Sequence, residues 1–211
     1  MVAADRHPHQ IVNDEDSSKR RQILDGARKV FMDLGFDGAS MGEIARSAGV
    51  SKGTLYVYFA DKNHLFEAIV EEEARQRSEV AFNFNPEREV TTTLREFGET
   101  WISYVCRPGG GSSIRTVMAI AERMPDVGRR YYEQVLESLI NRLAVYLEAR
   151  TKLGDLKIGD CKMAASQFQL MCQASLFLPY IFQASPPPSA ERISEVVESA
   201  IRMFLAAYGR K

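Results

Sequence analysis

Apolar positions recur along this chain at the three- and four-residue spacing of helices, and no stretch reads as a strand or an internal repeat. Ile23, Leu24, Ala27, Val30, Phe31 and Leu34 predict a first helix, capped by Ser17 or Ser18 and ended by Gly35. Ile44, Ala45 and Ala48 predict a short second helix, and Leu55 with Phe59 a short third. Leu65, Phe66, Ile69 and Val70 predict a fourth that begins at Asp61 and runs on through the charged residues 71–78. Beyond Pro86, further helices are predicted over 93–106, 113–123, 127–152, 160–182 and 190–208, separated by proline and glycine breaks. Pro179 should kink or shorten the helix it interrupts. The expected fold is all-α. A flexible tail over 1–18, a small helical domain over 19–70 and a larger one over 71–211 are the expected divisions.

The second and third helices form a recognisable pair. Ser40 and Glu43 have capping-box spacing, Gly49 stands where a sharp turn needs positive φ, and Ser51 caps the next helix. With Leu55 and Phe59 turned inward, the third helix is left with Lys52, Gly53, Thr54, Tyr56, Val57 and Tyr58 outward. A solvated amphipathic helix would carry Glu and Lys pairs on that face. Hydroxyls, one cation, a glycine and a bare valine suit DNA instead: donors for phosphate oxygens, close backbone approach, and an apolar contact for a thymine methyl. Two short helices joined in this way read as a helix-turn-helix.

The runs ILDGARKVFMDLGF, GEIARSAGV and SKGTLYVYFADKNHLF resemble the DNA-binding domain of the TetR family of bacterial transcriptional regulators, over about residues 20–70. That resemblance implies a double-stranded DNA operator as partner. It also implies a phosphate contact by Ser40, groove contacts by Lys52, Gly53 and Thr54, edge and phosphate contacts by Tyr56 and Tyr58, and a phosphate bound by Lys62 at a helix N-terminus, with the cap Ser51 and the apolar Val57 completing the expected DNA-binding set. Many members carry histidine where this chain has Tyr58, which keeps a donor and removes a possible charge. The run LGDLKIGDCKMAASQF, residues 153–168, is similar to the AefR-like subgroup.

Composition changes the picture little. At 211 residues and 45% hydrophobic the chain can bury a genuine core, while its net charge of −1 means that local charge matters more than the total. Residues 19–70 hold eight Lys and Arg against six Asp and Glu, a small excess in the expected direction. Cys106, Cys161 and Cys172 show no paired spacing, so neither zinc nor a disulfide framework is indicated, and a reducing cytoplasm is the expected location. No apolar run has the length of a membrane span. His7, His9 and His64 lack an acid or nucleophile at a catalytic spacing, the carboxylates of 71–73 read as a solvated face, and the glycines of 109–111 read as a linker. The expectation is no enzyme, no metal and no cofactor.

In the larger domain, Leu94, Phe97, Trp101, Tyr104 and Val105 form one stripe, with Met118, Met124 and Phe168 as candidates to face it. Any bundle core needs such a stripe. The family resemblance turns it into an expected pocket for a small apolar or amphipathic effector, with Tyr104, Gln167 or Gln169 as polar contacts. The wide apolar faces of the last two helices predict a homodimer built through them. Two functions follow: a ligand-responsive regulator released from a palindromic operator, or a helical small-molecule binding protein whose helix-turn-helix is vestigial.

Overall fold

The computed structural model describes residues 8–79, 82–107, 112–122 and 124–210. Expectations resting on His7, Pro108, the glycines of 109–111 and Arg123 lie outside them. The chain divides into two compact units, Met1–Glu73 and Ala74–Lys211. Among the described residues there is no strand, only an isolated antiparallel bridge between Leu156 and Gly209.

In the first unit, α1 (Pro8–Gly38), α2 (Met41–Ser47), α3 (Lys52–Tyr58) and the start of α4 (Lys62–Glu79) enclose one core. Ile23, Leu24, Ala27 and Phe31 of α1 are buried with Ile44, Leu55, Leu65 and Phe66. Phe31, Phe36 and Phe66 form a triangle of rings with centroids 5.5 to 5.6 Å apart. Gly26 lets α1 lie directly on α2, because a Cβ there would come within 2.6 Å of Ala48.

α1 corrects the expected tail. It is helical from Pro8, so Ser17 and Ser18 lie inside it rather than at its start. Proline is well suited to a first helical position, and the next glycine or proline after Pro8 is Gly26, so extension meets no breaker. Gly35 does break the helix, with φ 70° and ψ 175°.

The second unit contains α5 (Val90–Val105), α6 (Ser112–Ile120), α7 (Pro125–Tyr131), a π-helical stretch Tyr132–Glu137, α8 (Ser138–Lys152), α9 (Cys161–Gln173), α10 (Phe177–Ile181) and α11 (Ala190–Tyr208). α5 is its centre. At Gly98 a Cβ would meet Val197 of α11 at 2.8 Å and Cys172 of α9 at 2.9 Å, so a missing side chain brings three helices together. Phe97, Phe168 and Phe204 then form a chain of rings through the core, tilted at 6.0 Å and edge-on at 5.4 Å.

The helix expected over 160–182 is two helices. Pro179 has no N–H to offer the carbonyl four residues back, at Ser175, and its ring would press on that group. The chain breaks there, with Ser175 at φ 59° between α9 and α10.

Candidate nucleic-acid interface

Both caps of the helix-turn-helix form as the sequence leads one to expect. The Ser40 hydroxyl accepts the Glu43 backbone N–H at 3.2 Å, while the Ser40 amide and hydroxyl donate to the Glu43 carboxylate at 3.0 and 2.7 Å. These bonds, the Ser40 side chain first, hold the Glu43 carboxyl below its ordinary value. Ala48 closes α2, Gly49 turns the chain at φ 65°, and Ser51 accepts the Thr54 N–H at 3.0 Å. The hydroxyls of Ser51 and Thr54 also share a hydrogen bond of 2.9 Å, which fixes both at the start of α3.

α3 turns Leu55 fully inward and leaves Lys52, Gly53, Tyr56 and Val57 exposed on one side. Val57 is 82% exposed and Tyr56 52%. A valine so bare on a short helix gains nothing in water, whereas against a base methyl it has a partner. At Gly53 a Cβ would meet only the Ser51 hydroxyl, at 3.7 Å, so the space above that turn is open. The Lys52 stem lies over Gly42, where a Cβ would approach its Cε at 2.9 Å.

Two residues of the expected face are engaged elsewhere. The Tyr58 hydroxyl donates to the Asp16 carboxylate at 2.6 Å, and this bond pushes the phenol above its ordinary pKa. Lys62 is not the free cation the sequence suggested. Its ammonium donates to the carbonyls of Phe36 at 2.8 Å, Ala39 at 3.2 Å and Asp37 at 3.4 Å, and lies 4.7 Å from the centroid of the Phe36 ring. Asp61 caps α4 through the amides of Asn63 and His64.

In the second unit, Phe97, Trp101 and Phe168 are buried together as the stripe implied, and Tyr104 and Met124 are half-buried. Met118 does not face them. It is 71% exposed, because α6 turns Ile114, Val117 and Ile120 inward and leaves the next position outside. Gln169 is buried, and its side-chain nitrogen has no hydrogen-bond partner among the described residues. Gln167 is taken up by α11, accepting the Tyr208 hydroxyl at 2.9 Å.

Comparison with known proteins decides the family. Residues 23–69 match the model of bacterial regulatory proteins of the tetR family, and residues 92–210, more than half the chain, match that of the C-terminal domain of AefR-like transcriptional repressors. The chain belongs to the TetR family. Members are transcriptional regulators rather than enzymes. Among curated TetR-family relatives, the HTH-type transcriptional repressor AcnR of Corynebacterium diphtheriae is 29% identical over 172 residues, 64% of this chain and 85% of that protein. A TetR-family transcriptional regulator from Mesorhizobium loti has a TM-score of 0.82 and 29% identity, covering 92% of this chain and 98% of its own. The flavonoid-responsive regulator FrrA has a TM-score of 0.74 and 28% identity, covering 92% and 99%.

Sequence reasoning missed three anchors in this TetR-family domain. Gln22 of α1 donates to the Ala48 carbonyl at 2.6 Å and so closes the C-terminal end of α2. Asp16 holds Tyr58, and carbonyls at the end of α1 and in its link to α2 hold Lys62. Each pairing spans more than twenty residues, and no local spacing announces it.

Proposed function

We propose that this TetR-family chain is a ligand-responsive repressor, released from a palindromic operator when a small apolar or amphipathic effector binds its second unit. The observation that carries the DNA half of the reading is the exposed face of α3, which holds no carboxylate and one cation, with Val57 and Tyr56 bare beside Lys52 and Gly53. Ser40, Ser51, Thr54 and Tyr58 border it as donors once DNA redirects their hydroxyls. Lys62, expected among the phosphate contacts, would exchange its carbonyl bonds for a phosphate in the same way.

Two copies joined through α9, α10 and α11 would set two α3 helices about 34 to 36 Å apart, one turn of DNA. Exposed Met163, Leu170, Leu178 and Met203 on those helices, and Phe182 just after α10, support the dimer. For the effector, Phe97, Trp101, Tyr104, Phe168 and Met124 offer an aromatic and thioether lining, and the unpartnered Gln169 nitrogen offers a hydrogen-bond donor. A flavonoid-responsive neighbour fits a planar aromatic compound bearing oxygen acceptors. Coupling of ~1 to 3 kcal/mol between effector and operator is sufficient to lower DNA affinity by one or two orders of magnitude. The expected location is the cytoplasm, where the operator is.

Footprinting and gel shifts across the intergenic DNA flanking its own reading frame test this. Protected bases, with retention that weakens as salt rises, are expected. Absence of any protected sequence would favour a binding protein with a vestigial helix-turn-helix, and a ligand that binds without changing DNA affinity would remove the switch.

A further inference from the structure

We infer that α10 is a hinged flap, latched over the C-terminal end of α5 and able to open a path to the Trp101 and Tyr104 lining of the second unit. The two residues that bracket it, Ser175 and Gln183, both hold left-handed backbone, with φ 59° and 58°. Neither is glycine, so each conformation is strained and persists only while its surroundings enforce it. Between them stands a helix of five residues, far too short to be stable alone. Pro179 cannot donate within that turn, Leu178 and Phe182 are exposed, and Leu176 and Ile181 are the buried anchors. A segment with so little buried apolar surface belongs to the part of a fold that opens first.

Two polar latches hold the flap shut. The Tyr180 hydroxyl donates to the carbonyl of Arg107, just past the end of α5, and Arg115 of α6 donates to the carbonyl of Ile181 at 3.1 Å. Burial first, and then the nearby Cys106 thiol, raise the Tyr180 phenol above its ordinary value, which places that thiol beside the latch. Cys106 itself is 2% exposed. The Arg107 guanidinium lies over the Tyr104 ring, 4.0 Å from its centroid, so the latch stands one helical turn from the stripe of Phe97, Trp101 and Tyr104. The hinges and latches need no ligand, whereas the gating role rests on the effector reading of that stripe. Leu178 and Phe182, on the outer side of the flap, stand at the proposed dimer contact, so opening is measured on the full chain as it assembles.

N-ethylmaleimide is added to the full chain, and modification of Cys106, Cys161 and Cys172 is followed separately by peptide mass spectrometry. Cys106 should react slowly in the wild-type chain and roughly three- to tenfold faster in Tyr180→Phe or Arg115→Met, the effect of losing one hydrogen bond, while Cys161 and Cys172 keep their wild-type rates. A Cys106 that reacts at once in the wild-type chain, or at an unchanged rate in both variants, would overturn the flap. Equal acceleration of all the thiols would mean a general loosening and overturn it as well. The gate is read with anilinonaphthalene sulfonate, an amphipathic aromatic anion, through quenching of Trp101, the single tryptophan of the chain. Opening a gate speeds entry and exit alike, so association with Tyr180→Phe should rise by the factor seen in the thiol rates while the equilibrium constant stays at the wild-type value. Association at the wild-type rate would overturn the gating role. A dye that never quenches Trp101 would count against the effector lining and the gate together, and the thiol rates would still decide the flap.

Discussion

At Gly26 one methyl group decides whether α1 can lie on α2. A Cβ would stand 2.6 Å from the nitrogen, Cα and Cβ of Ala48, two of them backbone atoms that cannot rotate away. Gly26→Ala is therefore expected to destabilise the first unit by about 1–3 kcal/mol, the usual cost of overpacking, visible as a lower denaturation midpoint. A midpoint equal to wild type would mean that the helices are free to part. Tyr58 has a different constraint. While its hydroxyl donates to Asp16 it has only lone pairs left for a phosphate, which is itself an acceptor. Tyr58→Phe should leave the salt slope of DNA binding unchanged, and Asp16→Asn should raise affinity for all duplexes roughly a few-fold by removing one carboxylate near the backbone. Anisotropy titrations at two salt concentrations check both. Local residues such as Ser40, Gly49 and Ser51 were readable from the chain because a cap or a turn involves neighbours three or four positions away. Asp16, Gln22 and Lys62 were not, because their partners lie 42, 26 and 23 to 26 residues distant.

Among the elements, α5 shows how much depends on one cap. Glu89 accepts the amides of Thr91 at 2.9 Å and Thr92 at 2.7 Å at the start of the central helix of the second unit. Burial opposes its charge, but these bonds and the threonine hydroxyls outweigh that and lower its carboxyl from 4.5 to about 2. A depressed folded-state pKa means that the unfolded chain takes up the proton first. The stabilisation is complete above the ordinary carboxylate range and disappears as pH falls through 4.5 toward 2. Glu89→Ala should cost about 1 kcal/mol at neutral pH, with the difference from wild type closing at acid pH in melts recorded along that range. A difference independent of pH would show that the charge plays no part. Helical periodicity located α5 and α11 well because their apolar stripes are long. It placed Met118 wrongly because a nine-residue helix has too few turns for its stripe to separate Val117 from its neighbour.

For the whole molecule, the decisive question is which apolar surface remains once each chain is folded. Ile193, Val197, Ala200, Ile201 and Phe204 of α11, expected in part to meet a second copy, are buried in their own chain. Leu170 and Leu178 are 60% and 61% exposed, and they carry the proposed dimer. Leu170→Glu combined with Leu178→Glu is expected to give a monomer in sedimentation, with unchanged helical content and operator affinity reduced about a hundredfold or more, since only one half-site is then held. A variant that remains dimeric would place the interface elsewhere.

Residue order alone determined the all-α class, the caps and turn of the helix-turn-helix, the inward Leu55 and the bare outward face of α3. All of these follow from spacing within a few turns, where covalent geometry fixes which side chains share a face. Only tertiary packing decided that Lys62 faces three carbonyls rather than solvent, that Asp16 belongs to an extended α1 and reaches Tyr58, and that most of α11 is covered by its own chain. Those outcomes depend on which surfaces meet after collapse, and pattern along a chain records how much apolar area must be buried without recording against what.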